Sequence, residues 1–286
     1  MKKQKIMEKS MEGIFFISAM MSVIAIVTIC VFIFKNGIPF IAQYGVKDFI
    51  FGTSWAPGNE PATYGIFPMI IGSLVITLGA LIIGVPLGIF TAVFLVYFCP
   101  EKLYKLLSPA VNIMASIPSI VYGFFGLQLL VPLIRQFNGN GMSILTASIL
   151  LGLMIIPTII TLSESALRSV PKVFYSGSIG LGATHERTIL KVMLPAAKSG
   201  IVSAIILGIG RAIGETMAVI LVAGNQPLLP RGLFKGVRTM TTNIVLEMAY
   251  ATGEHREALI ATSAVLFIII LMINGVFSAM KRRERG

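Results

Sequence analysis

Two residues of opposite charge, Arg211 and Glu215, lie four positions apart in the apolar stretch LGIGRAIGETMAVILVAG, residues 207–224. A stretch of this length and composition predicts a membrane-spanning helix, on which positions i and i+4 share one face. A charge at the centre of a bilayer costs about 2.5–3.5 kcal/mol on insertion scales, whereas an exposed i, i+4 ion pair contributes about 0.2–0.5 kcal/mol. We therefore expect both side chains to face protein or water rather than lipid.

The chemistry that such a pair supports is the binding of an anion. The planar guanidinium of Arg211 can donate two parallel hydrogen bonds to an oxyanion, and Glu215 would balance its charge so that a bound anion can leave. We place the neighbouring Thr216 in the same polar pathway. The alternative is an interhelical salt-bridge cluster that stabilises the helix bundle. Beside the pair, Gly210 and Gly214 form a G-x-x-x-G pattern, which predicts close helix packing.

Further polar residues interrupt a second apolar stretch around ASIPSIVYGFFG, where Ser116, Ser119 and Tyr122 are candidates for the same pathway. Pro118 lies among them and removes a backbone donor, and a broken membrane helix is tolerated where it lines a cavity. The alternative is that these hydroxyl groups bond within or between helices. Thr158, next to a proline in another apolar stretch, allows the same two interpretations.

No other residues combine into a catalytic or metal site. His185 and His255 are the two histidines and lie outside the apolar stretches, so no nucleophile and base can be paired within the membrane. The sequence also contains no G-x-x-x-x-G-K-[ST] phosphate-binding loop. We therefore expect no enzyme activity, no metal and no cofactor in this chain, and any ATP hydrolysis would come from a separate subunit.

The elements that position these residues are membrane helices. Of 286 residues, 56% are hydrophobic and only 12% are charged, which is about half the charged fraction of a soluble domain. Although the net charge is +11, the basic residues cluster in short loops, so we expect no nucleic-acid partner. The composition thus predicts an all-α integral membrane protein. Six apolar stretches are long enough to span a bilayer: 13–34, 69–98, 107–134, 143–162, 199–224 and 258–280.

These six spans divide the chain into three parts. Residues 1–68 comprise an N-terminal anchor helix and an extracytoplasmic loop, residues 69–280 form the core, and residues 281–286 form a basic cytoplasmic tail. The first apolar stretch is retained as an anchor, because it exceeds the roughly 7–15 apolar residues of a signal peptide. With both termini in the cytoplasm, 15 of the 23 Lys and Arg residues lie on the cytoplasmic side and 7 outside. That bias indicates this orientation.

Residues 163–198, here called the inner loop, form a cytoplasmic segment longer than a simple connection requires. Its sequence predicts two helical stretches, 174–181 and 185–193. Gly182 is expected to make the turn between them with a positive φ, and Thr184 to cap the second stretch. The loop either docks onto a partner or lies as an amphipathic segment on the membrane surface.

The inner loop resembles the EAA loop of ABC importer permeases. Gly182 is followed after nine residues by VMLP, 192–195, as in that family, whereas SGS at 176–178 replaces the E-A-A half of the pattern. The resemblance implies that the loop docks into a groove of a cytoplasmic ATPase and transmits its motion. It assigns this coupling role to five residues: Gly182, Ala183, Val192, Leu194 and Pro195.

Four motifs together carry a more specific resemblance: YGIFPMIIGSLVITLGALIIGVPLGIFTAVFL, SIPSIVYGFFGL, ALRSVPKVF and GIGRAIGETMAV. From about residue 38 onward the chain is similar to phosphate ABC transporter permeases of the PstC type. The resemblance implies the type I ABC importer permease fold, uptake of inorganic phosphate, and a transport role for Arg211 and Glu215. It also implies three kinds of partner in the cell membrane: a PstA-type second permease, a PstB-type ATPase dimer and a PstS-type extracytoplasmic phosphate-binding protein.

Other functions fit the sequence less well. A sulfate or molybdate ABC permease is the nearest rival, because it shares the inner-loop pattern, and GRAIGET with SIPSIVYGFFG distinguishes the two. A channel or an ion-coupled carrier needs no ATPase, so the long inner loop disfavours it. A sensory role in phosphate signalling stays open.

Overall fold

The computed structural model of this chain describes residues 2–137 and 139–283, which are predominantly helical. Two short antiparallel strands, β1 (Trp55–Ala56) and β2 (Thr63–Tyr64), are the exception to the predicted all-α fold. Three π-helical turns, Phe94–Phe98, Gly126–Leu130 and Ile189–Met193, continue or join helices. The α-helices are α1 Lys2–Tyr44, α2 Val46–Phe51, α3 Phe67–Val93, α4 Glu101–Ser116, α5 Ser119–Phe125, α6 Val131–Arg135, α7 Ile144–Arg168, α8 Lys172–Gly180, α9 His185–Thr188, α10 Leu194–Ala196, α11 Lys198–Gly214, α12 Met217–Val222, α13 Met240–Glu247 and α14 Gly253–Arg283.

The described residues contain up to six membrane spans, in agreement with the predicted number. Four are continuous helices that are long and apolar enough to cross a bilayer. Two more arise if each bent helix pair is counted as one span: α4 with α5 and α6, bent by 96°, and α9–α10 with α11, bent by 68°. The first bend falls at Pro118, where the sequence predicted a break. The four continuous spans are Glu8–Tyr44, Phe67–Phe98, Ile144–Arg168 and Gly253–Val276.

Helices α3 and α7 form the centre of the bundle. Glycines on α3 allow the two backbones to approach closely: a Cβ at Gly84 would lie 2.6 Å from Ile155, and one at Gly88 would lie 2.7 Å from Ile159. Small residues commonly perform this role in membranes, where apolar burial alone does not drive helices together. The surrounding core includes Ile76, Leu150 and other fully buried side chains of both helices.

The predicted span 199–224 is not one continuous helix. Helix α11 ends at Gly214, Glu215 is extended (φ −71°, ψ 127°), and the chain becomes helical again only in α12. The prediction that Arg211 and Glu215 share a helix face is therefore wrong. The Glu215 carboxylate instead accepts a hydrogen bond from the Ala218 backbone N–H at the start of α12, an interaction that hydropathy does not register.

The packing predicted at Gly210 and Gly214 is absent within the described part of this chain, because a Cβ at either position would meet nothing within 4 Å. Close approach occurs instead at Gly123 of α5, where a Cβ would lie 2.9 Å from Cα of Ala218 in α12. Contact of Gly210 and Gly214 with another subunit remains a prediction.

The N-terminal part packs on the C-terminal helix. Helix α1 meets α14 where a Cβ at Gly37 would lie 3.0 Å from Cα of Ala261, and the rings of Phe34 and Phe267 are 5.7 Å apart. The loop after α1 folds into an aromatic cluster around Trp55, and the β1–β2 hairpin belongs to it. The division at residue 68 and the extent of the core remain predictions, and the last three residues of the predicted tail lie outside the described residues.

The inner loop forms the two predicted helical stretches. Helix α8 is the first, and α9 with the following π-helical turn is the second. Gly182 has φ +84° in the turn between them, and the Thr184 hydroxyl accepts a hydrogen bond from the Arg187 backbone N–H (3.3 Å). Both local predictions are confirmed.

Candidate functional site

Arg211 lies half-buried in the last turn of α11 and contacts α7. Its Nη1 donates a hydrogen bond to the Thr158 hydroxyl at 3.2 Å. In the part of the chain that the structure describes, Arg211 forms no ion pair with an acidic side chain. A guanidinium carries five N–H donors, so one hydrogen bond leaves most of them for another partner. This geometry suits an arginine that is oriented by the protein yet still able to bind an anion.

Glu215 follows directly after α11 and stabilises the start of α12. Its carboxylate accepts a hydrogen bond from the Ala218 backbone N–H (3.1 Å), and its carbonyl accepts one from the Thr241 hydroxyl (3.2 Å). A carboxylate at this position satisfies an otherwise unpaired N–H group and interacts favourably with the helix dipole. Glu215 therefore connects α11, α12 and α13. The structure shows no ion pair between Arg211 and Glu215, which the salt-bridge alternative requires.

The four predicted hydroxyl groups of the pathway have mostly local partners. Ser116 donates to the Ile113 carbonyl (2.8 Å), and Thr216 donates to the Gly214 carbonyl (3.2 Å). Ser119 is half-buried at the start of α5. The first two bonds fit the alternative in which hydroxyl groups bond within helices, so the role of all four in transport stays a prediction.

Tyr122 is half-buried in α5 and carries a hydroxyl that bonds across a helix break. That hydroxyl donates to the Met114 carbonyl (2.9 Å) across the 96° bend between α4 and α5. The bend thus frees a carbonyl of α4, and a side chain of α5 satisfies it. Because Gly123 packs against Ala218 of α12, the two broken spans meet at this point.

A polar cavity of about 340 Å³ lies between α4 and α7, on the side of the predicted inner loop. On its wall the Glu164 carboxylate accepts hydrogen bonds from the Tyr104 hydroxyl (2.7 Å) and from Nε of Arg168 (2.9 Å). The sequence analysis did not identify this cavity, although the spacing of Thr158, Thr161 and Ser165 indicates a polar face along α7. The lining residues are Leu95, Tyr104, Ser108, Val111, Asn112, Thr161, Glu164, Ser165 and Arg168.

A buried polar network, here called the outer network, consists of Trp55, Arg238, Glu247 and His255. The Glu247 carboxylate is 6% exposed and accepts hydrogen bonds from Nε1 of Trp55 (2.9 Å), Nε2 of His255 (2.8 Å) and Nη1 of Arg238. The sequence analysis missed it, because its members come from four separated segments. Its one signal was the single tryptophan in a loop longer than a connection requires.

The inner loop places the predicted coupling residues around its turn. Gly182 and Ala183 form the turn, Val192 and Leu194 are half-buried, and Pro195 is exposed near the bend into α11. The large exposed apolar side chains of this loop are others, which the sequence analysis did not name: Val173, Phe174, Ile179, Leu181 and Leu190.

Comparison with known proteins places this architecture in a family. A family model described as "Binding-protein-dependent transport system inner membrane component" matches residues 84–286. Over 273 residues the chain is 38% identical to the "Probable ABC transporter permease protein YqgH" of Bacillus subtilis (strain 168), with 92% of this chain and 88% of that protein covered. Over 246 residues it is 35% identical to the "Phosphate transport system permease protein PstC" of Pasteurella multocida (strain Pm70), with 79% and 76% covered.

A solved structure supports the fold independently. A chain of the bacterial alginate ABC transporter in complex with an alginate pentasaccharide-bound periplasmic protein superposes with a TM-score of 0.62, 17% identity and 96% of each chain covered. At this identity the match shows the fold alone, which is that of a type I ABC importer permease. Such permeases imply an ATPase and a substrate-binding protein as partners. The chain belongs to the binding-protein-dependent transport system inner membrane components, the integral membrane permease subunits of ABC importers.

Proposed function

We propose that this chain is a permease subunit of an ATP-driven importer of inorganic phosphate and forms half of its translocation pathway. The observation that carries the proposal is Arg211, a guanidinium in a membrane span with one hydrogen bond to Thr158 and no acidic partner among the described residues. The name of the Pasteurella multocida relative supports phosphate as the anion.

The energetics favour an Arg211 that binds a transported anion over an Arg211 with a structural role alone. A charge in a membrane span without a counter-ion is costly, so an anionic ligand that reaches Arg211 stabilises the span in which it lies. Phosphate offers several acceptor oxygens to the free guanidinium donors. The absence of a direct Glu215 ion pair lets the anion compete for Arg211 without first displacing a carboxylate.

The proposed partners follow from two features, the missing ATP-binding loop and the exposed apolar side chains of the inner loop. With no phosphate-binding loop for ATP in its sequence, the chain performs no hydrolysis and needs no cofactor in this proposal. A PstB-type ATPase dimer would dock against the inner loop, where Leu181 is 92% exposed. A PstA-type permease would complete the pathway, and a PstS-type protein would deliver phosphate on the outer side.

The orientation is part of the proposal. Both termini and the inner loop lie in the cytoplasm, which places the outer network on the side of the binding protein. ATP binding then closes the ATPase dimer, moves the turn at Gly182 and opens a path past Arg211. Hydrolysis resets the path. The polar cavity between α4 and α7 lies on the inner-loop side, in keeping with an exit toward the cytoplasm.

The test is labelled phosphate uptake by the assembled complex carrying Arg211→Gln. We expect uptake to fall at least tenfold, and Arg211→Lys to retain part of it, because lysine keeps the charge and loses the planar fork. Arg231→Gln, which removes an exposed loop arginine, is the matched control. Unchanged uptake in Arg211→Gln would contradict the pathway role, and labelled sulfate or molybdate taken up in place of phosphate would assign the chain to the alternative oxyanion importer.

A further inference from the structure

A second cavity, of about 800 Å³, lies where the inner loop meets the ends of α3 and α7. Its lining includes apolar side chains, among them Val96, Leu167 and Met193. It also includes the basic residues Arg168 and Lys172. Because α3 and α7 are membrane spans that end here, the cavity lies at the boundary between hydrocarbon and water.

Several hydrogen-bond donors line this cavity or begin beside it. Helix α8 begins at Lys172 after Pro171, which has no side chain able to cap its first backbone N–H groups. The Lys172 ammonium has no ion-pair partner in the described part of the chain, whereas Arg168 donates from Nε to Glu164 and keeps its terminal Nη groups. His185 bonds through Nδ1 to the Tyr175 hydroxyl (2.7 Å), which leaves its Nε2.

This donor set suits a phosphate group. The first turn of a helix and cationic side chains are groups that bind phosphate oxygens in proteins. No carboxylate lines the cavity itself, and the Glu164 carboxylate that pairs with Arg168 belongs to the neighbouring polar cavity. The apolar part of the lining favours a phosphate group that carries a hydrocarbon portion, since a free anion would leave those side chains exposed to water.

We propose that this cavity binds the head group of an anionic phospholipid from the cytoplasmic leaflet, with an acyl chain along the ends of α3 and α7. Basic pockets between membrane helices on the cytoplasmic side bind lipid head groups in this way. This proposal goes beyond the transport function. It rests on the proposed function in one respect, the orientation of the chain in the membrane. The lipid would then join the inner loop to the membrane helices that it must move.

The test is native mass spectrometry of the purified full chain titrated with phosphatidylglycerol, with phosphatidylcholine as the neutral comparison. We expect tighter binding of phosphatidylglycerol and about a fivefold rise in its apparent Kd for Lys172→Gln, the change expected for one basic residue near a lipid surface. Lys191→Gln is the matched control, because Lys191 is exposed on the same loop and does not line the cavity. Equal losses of lipid affinity in both variants would show that the lipid responds to general surface charge, and this result would overturn the proposed site.

Two competitors distinguish other occupants of the cavity. Inorganic phosphate at millimolar concentration should not displace the lipid, and displacement would assign the cavity to a free anion instead. Assembly with the ATPase should leave the bound lipid in place, whereas loss of lipid would make the cavity part of the ATPase interface. Neither outcome depends on transport, so failure here and failure of the phosphate-import proposal are separate results.

Discussion

At the scale of single residues, the Glu215 carboxylate accepts a hydrogen bond from the first turn of α12, and this explains what its substitution should do. Glu215→Gln keeps an acceptor oxygen at that position, whereas Glu215→Ala removes the cap, at about 1 kcal/mol. We therefore expect Glu215→Gln to retain most phosphate uptake and most thermal stability, and Glu215→Ala to lose both. If the charge itself balanced Arg211, the two variants would lose uptake equally, which uptake and thermal unfolding of the complex can distinguish.

Thr158 orients Arg211, so its hydroxyl should matter although it need not touch the anion. Thr158→Val removes the acceptor of the 3.2 Å bond at nearly constant volume. A hydrogen bond to a charged group contributes about 1.5–3 kcal/mol, so we expect an increase in the KM for phosphate of about tenfold or more. Thr158→Ser, which keeps the hydroxyl group, should have the KM of the parent protein. The control is Thr28→Val on the exposed face of α1, and an unchanged KM in Thr158→Val would contradict the positioning role.

At the scale of elements, the turn of the inner loop depends on backbone conformation rather than on space. Gly182 has φ +84°, and a Cβ there would meet nothing within 4 Å. Gly182→Ala should therefore strain the turn by about 1–2 kcal/mol without a clash, and reduce ATP hydrolysis stimulated by the loaded binding protein. Gly177→Ala is the matched control, since Gly177 lies in α8 with equally open surroundings and should tolerate alanine. Equal rates of ATP hydrolysis in both variants would show that the conformation of the turn is not part of the coupling mechanism.

The outer network fixes α13, and Thr241 of α13 bonds to the Glu215 carbonyl, so this network is connected to the site. Glu247→Gln leaves Arg238 buried without its anion, which costs about 3–5 kcal/mol. We expect a clear fall in the thermal unfolding temperature of the purified chain, with Glu60→Gln on the exposed loop as the control. A fall no larger than that of the control would show that solvent screens the Arg238–Glu247 pair.

At the scale of the whole molecule, the open face of α11 predicts where a second permease packs. Gly210 and Gly214 meet nothing within this chain, so Gly214→Leu should leave the chain folded and inserted. If a second permease packs there, co-purification with it should fall, whereas Gly275→Leu on α14, in similarly open surroundings, should not affect it. Normal co-purification of Gly214→Leu would place the interface on another face.

The parts of this architecture that the sequence predicted are those with local causes. Hydropathy predicted the spans because a helix must have enough apolar residues to cross the lipid, and the position of Gly182 between two helical stretches predicted its positive φ. The break at Glu215 was missed because its cause includes a bond to Thr241, 26 residues away. The outer network was missed for the same reason, since Trp55 and Glu247 are 192 residues apart and meet only in the folded chain.

The position of Trp55 also has an optical consequence. The chain contains one tryptophan, so emission excited at the long-wavelength edge of the indole band, where the seven tyrosines absorb little, originates from a single indole group. That indole donates to Glu247 and lies 5.8 Å from the Tyr64 ring and 6.1 Å from the His255 ring, centroid to centroid. Any rearrangement around the outer network that alters this environment changes the emission spectrum. The unlabelled wild-type protein therefore contains its own fluorescent reporter, which in the proposed orientation lies on the side to which the binding protein would dock.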